Sequence, residues 1–131
     1  MKLDKKQRVL IVDDEPKILK IFGLKLKLTG FEVVTTTSGI DAIELVRSQK
    51  FDVILLDMLM PDISGMDVLR EIRSFSQIPI IMFTARDNIF EMAKQSGANG
   101  YIPKPVNPDD LIKKIKAVLD ENDSGATKPK L

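Results

Sequence analysis

The fold is decided by the stretch Val9-Leu10-Ile11-Val12-Asp13-Asp14-Glu15. Its first four residues are all apolar and lack the polar alternation of a half-exposed strand, which predicts a strand buried on both faces of a parallel sheet. Three acidic residues follow at once, where that strand must end. Strands of this kind need helices on both faces of the sheet, so the rest of the chain should alternate between strands and helices.

Further apolar runs and helical stretches continue this alternation along the chain. The other predicted strands are residues 33–34, 53–56, 80–83 and, with a weaker pattern, 101–102. The predicted helices begin near residues typical of helix N-termini, which are Pro16, Ser38, Ser64, Asp87 and Asn107. Five βα units joined by right-handed crossovers predict an α/β fold, a doubly wound parallel five-stranded sheet with helices on both faces.

The composition narrows the chemistry open to the 131 residues, a length typical of one domain. The chain has no cysteine and no histidine, which excludes disulfides, thiol catalysis, imidazole bases and phosphohistidine. Lys and Arg total 20 and Asp and Glu total 19, so the net charge of +1 gives no electrostatic reason to expect a nucleic acid or an anionic membrane as partner. No run approaches the roughly 20 apolar residues that span a bilayer, and we expect a cytoplasmic location.

The last residues differ in composition from the rest. Residues 121–131 are polar and include Gly, Ser, Thr and Pro. This composition predicts a disordered tail or the start of a linker, following a domain that occupies residues 1–120.

Chemically versatile side chains follow four of the predicted strands. Asp13 and Asp14 come after the first strand, Asp57 ends the third, Thr84 ends the fourth and Lys104 follows the fifth. Ligands of doubly wound sheets bind beyond the carboxyl ends of the strands, near the point where the strand order reverses. The sequence therefore predicts that three aspartates, a hydroxyl and an ammonium meet at one edge of the sheet.

This set of groups suits phosphorylation of a carboxylate. Three neighbouring carboxylates repel one another and favour a hard cation with oxygen ligands, for which Mg²⁺ is the best candidate. An aspartate can attack phosphorus and form an acyl phosphate. An ammonium and a hydroxyl can hold the other phosphoryl oxygens and offset the charge that develops there.

The chain resembles the receiver domain of two-component response regulators. Four stretches, in the order the family has them, carry the resemblance over roughly residues 7–120: Val9-Leu10-Ile11-Val12-Asp13-Asp14-Glu15, Asp57-Met58-Leu59-Met60-Pro61-Asp62-Ile63-Ser64-Gly65, Phe83-Thr84-Ala85-Arg86-Asp87, and Gly97-Ala98-Asn99-Gly100-Tyr101-Ile102-Pro103-Lys104-Pro105. The resemblance implies a flavodoxin-like sheet with strand order 2-1-3-4-5.

The resemblance also implies roles for residues around the acid cluster. Asp57 would accept a phosphoryl group from a histidine kinase or a phosphotransfer protein. Asp13 and Asp14 would hold Mg²⁺ together with Asp57 and the backbone carbonyl of Leu59. Lys104 would contact the phosphoryl group and would pair beforehand with Asp57 or Asp13.

A conformational switch is implied as well. Thr84 would move onto a phosphoryl oxygen, and Tyr101 would turn inward as Thr84 moves. The peptide bond between Lys104 and Pro105 would be cis. The phosphorylated form would then present a changed surface to a partner.

As a member of this family the chain would be a signalling module that promotes its own phosphorylation and dephosphorylation, not an enzyme with a separate substrate. The domain itself would bind neither nucleic acid nor membrane. The downstream output domain or protein is not readable from the sequence. Dimerisation through the face between strand 4 and helix 5 is left open.

Two features depart from the family pattern. The segment between Thr84 and Gly97 is about two residues shorter than usual, which puts the fourth helix and the details of the switch in question. Leu59, two residues after the predicted acceptor, is apolar and cannot orient an attacking water, so we predict slow loss of the phosphoryl group.

Three other functions are compatible with this fold class. A phosphohydrolase with an aspartyl nucleophile would need a second acid where Leu59 stands, and also a substrate cap. A flavin- or nucleotide-binding module would need a Gly-rich or Ser/Thr-rich phosphate loop after the first strand, where Asp13, Asp14 and Glu15 would repel phosphate instead. A receiver-like domain that is never phosphorylated would have no use for the intact set of acids.

Overall fold

The computed structural model of the protein describes residues 6–85 and 88–127, with only the backbone described for residues 122–127. The elements in chain order are β1 (Arg8–Val12), α1 (Pro16–Thr29), β2 (Glu32–Thr36), α2 (Gly39–Ser48), β3 (Val53–Leu56), α3 (Gly65–Arg73), β4 (Ile80–Thr84), α4 (Phe90–Gln95), β5 (Gly100–Pro103) and α5 (Pro108–Thr127).

The five strands form one parallel sheet in the order β2-β1-β3-β4-β5, which confirms the predicted doubly wound topology. Val12 lies beside Leu56 on β3, and Leu56 lies beside Met82 on β4, so the carboxyl ends of these strands are level with one another. The strand order reverses between β1 and β3, and the residues after these two strands share the crevice of the switch point.

The apolar run of β1 is continuous because its alternate residues belong to two separate cores. Val9 and Ile11 pack in the core beneath α1 and α5. Leu10 and Val12 pack in the core on the opposite face, beneath α2, α3 and α4. Burial on both faces leaves no position from Val9 to Val12 for a polar side chain.

Side-chain caps begin three of the helices as predicted. The Ser38 hydroxyl accepts a hydrogen bond from the Asp41 amide at the start of α2, and the Ser64 hydroxyl accepts one from the Asp67 amide at the start of α3. The side-chain oxygen of Asn107 accepts a hydrogen bond from the amide of the third residue of α5 at 2.8 Å. These bonds satisfy backbone donors that have no partner within the helix.

Helix α4 is short, with six residues. The residue that precedes it, Ile89, makes no side-chain cap, and the predicted cap Asp87 lies outside the described residues.

Helix α5 is longer than the sequence predicts. It continues to Thr127, so residues 121–127 are helical where the sequence predicts a disordered tail or the start of a linker, and residues 128–131 lie outside the described residues. The chain has no proline between Pro108 and Pro129, so every residue in between keeps the backbone N–H that a helix needs, and polar composition alone does not end it. The domain boundary after Asp120 and a linker beyond it stay predictions.

In the described ranges, no helix has the length and apolar character required to cross a bilayer.

Candidate functional site

The structure brings the three predicted aspartates together at the carboxyl end of the sheet. Asp13 follows β1 and Asp57 follows β3, and the Asp57 amide donates a hydrogen bond to the Val12 carbonyl at 2.9 Å, which sets the two residues side by side. One carboxylate oxygen from each of Asp13, Asp14 and Asp57 lies within 4.8 Å of the others. Asp13 and Asp57 are buried, whereas Asp14 is exposed, so the cluster is open to solvent on one side.

Lys104 joins this cluster from the loop after β5. Its Nζ lies 2.6 Å from Asp13 Oδ2, 3.6 Å from Asp57 Oδ2 and 3.8 Å from Glu15 Oε1. The Lys104 amide donates to the Thr84 carbonyl at 2.9 Å, and the Lys104–Pro105 peptide bond is cis. Of the two partners that the resemblance left open for the ammonium, Asp13 is the nearer one.

Burial and charge crowding act on the ionisation of Asp57. Loss of hydration on burial, together with the nearby negative charge of Asp13, raises the pKa of Asp57 from 3.8 to about 6. The ammonium of Lys104 and the backbone N–H groups of Met58 and Leu59 oppose this rise but do not cancel it. The carboxylate is therefore held in a site that disfavours its own charge.

Lys104 experiences the opposite balance. Burial alone would lower its pKa, but the hydrogen bond to Asp13 and the charges of Asp57, Asp13 and Glu15 outweigh burial, and the pKa of Lys104 is raised. The Lys104 ammonium thus lies near three carboxylates, and Asp14 adds a fourth to the cluster, so the described residues of the site have an excess of negative charge.

The donor set is suited to a hard cation. The cluster offers only carboxylate oxygens, close enough together for several to contact one ion, and this is the ligand chemistry that Mg²⁺ and Ca²⁺ prefer. The three aspartates can hold a metal ion. Binding would also offset the negative charge of Asp13, which adds to the effect of burial in raising the pKa of Asp57.

Backbone contacts fix the acceptor side of the site. The Met58 amide donates to Asp57 Oδ1 at 2.7 Å, and the Gly65 amide at the start of α3 donates to the Met58 carbonyl at 2.7 Å. A Cβ on Gly65 would lie 2.1 Å from the Asp57 carbonyl oxygen, so only glycine permits this approach. The first turn of α3 therefore presses directly on the backbone of Asp57.

The two predicted switch residues lie on neighbouring strands. Thr84 is buried at the end of β4, beside Pro103 on β5. Tyr101 is half-buried on β5, and its ring meets that of Phe90 edge to face, with centroids 5.6 Å apart. Phe90 is the first residue of the short helix α4, so the shortened segment supplies an aromatic neighbour for the Tyr101 ring.

Sequence reasoning did not identify three residues that contact the site or its supporting loop. Glu15 lies near Lys104, and its amide donates to Asp13 Oδ1 at 2.9 Å. The ring of Phe83 lies 5.0 Å beneath the Lys104 ammonium. Asp62 binds the start of α2. The run of three acids was a signal for Glu15, but an apolar residue within a buried strand and an acid in a turn gave none for the other two.

Comparison with known proteins agrees with this geometry. A family model described as the response regulator receiver domain matches residues 9–116. The chain belongs to this family. It is accordingly a signalling receiver domain of two-component response regulators, and the phosphohydrolase and nucleotide-binding alternatives are set aside.

Individual relatives support the assignment. The receiver domain is 40% identical over 126 residues to a probable transcriptional regulator, ycf27, of Guillardia theta, which covers 95% of this chain and 50% of that protein. It is 34% identical over 120 residues to the DNA-binding response regulator MtrA of Mycolicibacterium smegmatis, and the alignment covers 90% of this chain and 53% of that protein. A solved receiver domain protein (CheY-like) of Methanospirillum hungatei superposes with a TM-score of 0.88 at 31% identity, covering 92% of this chain and 99% of that one.

The receiver domain spans about half the length of the curated relatives it matches. Their names therefore describe proteins with a further region that this chain does not align to.

Proposed function

We propose that this receiver domain accepts a phosphoryl group on the carboxylate of Asp57, with Mg²⁺ held by Asp13, Asp14, Asp57 and the backbone carbonyl of Leu59. The observation that carries the proposal is the buried Asp57 carboxylate, with a lysine ammonium 3.6 Å away and two further carboxylates beside it. Mg²⁺ supplies positive charge that neutralises both the acid cluster and the transferring phosphoryl oxygens.

The transfer exchanges one bond to phosphorus for another. A carboxylate oxygen of Asp57 attacks the phosphorus of a phosphohistidine donor, the new O–P bond forms, and the P–N bond breaks as the imidazole leaves. Asp57 must be ionised to attack. Its pKa of about 6 leaves most of the carboxylate charged at neutral pH even before a cation binds.

Lys104 is proposed to stabilise the charge that arrives with the phosphoryl group. Its ammonium is already held at the site by Asp13 and supported from below by the ring of Phe83. A phosphoryl oxygen on Asp57 would lie closer to this ammonium than the carboxylate oxygen does. The lysine therefore needs only a small movement to pair with it.

The same event is proposed to shift the β4–β5 face. Phosphorylation adds about −1.5 to −2 of charge and three acceptor oxygens at Asp57. The hydroxyl of Thr84 would move toward those oxygens, and Tyr101 would repack against the space it leaves. Because Tyr101 touches Phe90, helix α4 would change its position along with the ring.

The donor is proposed to be a histidine kinase or a histidine phosphotransfer protein, acting in the cytoplasm. The names of the relatives include transcriptional and DNA-binding regulators, which supports an output region in addition to this receiver domain. The receiver domain would promote its own phosphorylation and dephosphorylation and act on no separate substrate. Dimerisation through the face of β4 and α5 remains a prediction.

The test is incubation with acetyl phosphate and Mg²⁺, followed by intact-protein mass spectrometry. We expect one phosphoryl adduct that forms only with a divalent cation and is absent in Asp57→Asn. The matched control is Asp67→Asn, an exposed aspartate of α3 that should still form the adduct. An adduct in Asp57→Asn, or no adduct in the wild type, would refute the proposal.

A further inference from the structure

A second acidic residue of the β3–α3 loop is bound to a different helix. Asp62 accepts three hydrogen bonds from the start of α2: from the Ser38 hydroxyl at 2.7 Å, from the Gly39 amide at 3.2 Å and from the Ile40 amide at 3.1 Å. The Ser38 hydroxyl also accepts a bond from the Asp41 amide at 3.0 Å. The first turn of α2 is thus capped by its own serine and by an aspartate more than twenty residues away in the chain.

Close packing accompanies these hydrogen bonds. A Cβ on Gly39 would lie 2.4 Å from Ile63 Cγ2 and 2.7 Å from Val68 Cγ2. A larger residue at position 39 would force the side chains of Ile63 and Val68 to move. Glycine therefore permits the close contact between α2 and the loop that the hydrogen bonds of Asp62 stabilise. The hydroxyl of Ser38, followed by the amides of Ile40 and Gly39, lowers the pKa of Asp62 to about 2, which keeps its carboxylate ionised over the working range of pH.

The loop is held at both of its ends. Gly65 restrains the first residues of the loop, because its amide donates to the Met58 carbonyl and its backbone lies close to the Asp57 carbonyl oxygen. Asp62 restrains the later part of the loop through its hydrogen bonds to the start of α2. Leu59 lies between the two attachments with an exposed side chain, so packing of that side chain does little to hold the backbone around it.

We propose that Asp62 is a positioning residue for the metal site: its hydrogen bonds to the start of α2 hold the β3–α3 loop where the Leu59 carbonyl can join the three aspartates around a divalent cation. This inference rests on the proposed function, because that function assigns the Leu59 carbonyl to the cation. Asp62 does not touch the cation. It acts through the backbone it restrains, as residues that orient the ligands of metal sites do.

The inference is tested by two measurements that do not depend on phosphorylation. Mg²⁺ is titrated into the full chain while the amide signals of residues 57–63 are followed by NMR, which gives the dissociation constant. Hydrogen exchange of the same amides is measured in the metal-free protein. For Asp62→Ala we expect Mg²⁺ to bind about 10-fold more weakly and the loop amides to exchange faster.

Three further variants make the test specific. Asp62→Asn keeps one acceptor oxygen and should recover part of the Mg²⁺ affinity. Ser38→Ala removes the hydroxyl that donates to Asp62 and with it the cap on the Asp41 amide, but it leaves both backbone donors to Asp62; it should shift affinity in the same direction by less, which keeps the inference testable if Asp62→Ala does not fold. Asp67→Ala removes an equal charge from the first turn of α3, where the exposed carboxylate lies 3.4 Å from the Arg70 guanidinium, and should bind Mg²⁺ as the wild type does.

The outcomes separate this inference from the proposed function. Wild-type affinity and wild-type exchange in both Asp62→Ala and Ser38→Ala would overturn the positioning role while leaving phosphorylation of Asp57 in place. An equal loss of affinity in Asp67→Ala would assign the effect to charge and also overturn it. A wild type that binds no Mg²⁺ would overturn both proposals together.

Discussion

Charged side chains are partly or fully buried at both ends of the sheet, but their charges are compensated differently. At the amino-terminal end, the guanidinium of Arg73 donates to the carbonyls of Gly97 and Ser76 and to the side-chain oxygen of Asn99, at 3.0, 3.1 and 2.7 Å. The same Asn99 oxygen accepts from the Ile80 amide at 2.9 Å. At the carboxyl-terminal end, the described residues place the Lys104 ammonium near the carboxylates of Asp13, Glu15 and Asp57, with that of Asp14 also in the cluster.

The comparison distinguishes Arg73, which supports the fold, from the acid cluster, whose charge a bound ligand can neutralise. Arg73 has several acceptors within its reach, so its burial is compensated by the chain itself. The acid cluster is compensated only in part, and the raised pKa of Asp57 is the measurable sign of that deficit. An excess of negative charge that the fold tolerates, although burial disfavours it, is typical of a functional site and indicates the carboxyl-terminal end of the sheet.

The largest effect is expected from removing the ammonium of Lys104 from the acid cluster. In Lys104→Ala the arriving phosphoryl charge has no ammonium partner, and phosphorylation by acetyl phosphate at saturating Mg²⁺ should slow by about 100-fold. Intact mass measured over time gives the rate. The control is Lys116→Ala, an exposed lysine of α5, which should leave the rate unchanged. A wild-type phosphorylation rate in Lys104→Ala would contradict the functional role given to Lys104 at the carboxyl-terminal end of the sheet.

Breaking the amino-terminal end should change stability and not chemistry. Arg73→Ala leaves the Gly97 and Ser76 carbonyls without the guanidinium donor and removes one of the two donors to the Asn99 side-chain oxygen, and the free energy of unfolding should fall by about 3 kcal/mol. Urea denaturation measures the loss, and the phosphorylation rate of the folded variant should equal that of the wild type. Arg70→Ala, which breaks an exposed ion pair on the same helix, should cost less than about 0.5 kcal/mol.

Neutralising the acceptor should stabilise the metal-free protein. The pKa of Asp57 is about 6 in the folded chain, above 3.8, so the folded protein holds this proton more tightly than the unfolded chain does. Wild-type stability therefore falls as the pH rises from about 4 to about 6, and the penalty is complete above that range. At about pH 7.5 with a chelator present, Asp57→Asn should be roughly 2 kcal/mol more stable than the wild type by urea denaturation.

The pH dependence supplies the control for that prediction. The advantage of Asp57→Asn should shrink as the pH is lowered toward about 4, where the folded wild type holds the proton and the carboxyl of the unfolded chain, with a pKa of 3.8, is also becoming protonated. Saturating Mg²⁺ should also reduce it, because the cation stabilises the wild type by binding only the folded form. An advantage that is constant with pH would mean that the charge of Asp57 is not its source.

Much of the fold and the site was predictable because it depends on local pattern. The continuous apolar run of β1 reports burial on both faces, since Ile11 and Val12 belong to different cores. The acids that follow β1 and β3 converge because the strands are parallel and adjacent. The preference of Lys104 for Asp13 depends on side-chain geometry, and the bond between Asp62 and Ser38 joins distant segments, so neither leaves a mark in the sequence pattern.

The smallest expected effect concerns how long the phosphoryl group remains on Asp57. Leu59 lies two residues after Asp57 and its side chain is 54% exposed, yet it offers no polar atom that could orient a water toward phosphorus. Leu59→Asn or Leu59→Glu supplies such an atom, and dephosphorylation should accelerate threefold to tenfold, the equivalent of about 1 kcal/mol for one added hydrogen bond. The decay of the adduct, followed by intact mass after the donor is removed, measures the rate. Leu59→Met keeps the apolar surface and should decay as the wild type does. Unchanged decay in both polar variants would contradict the prediction, because it would show that a polar atom at position 59 does not orient the water that attacks phosphorus.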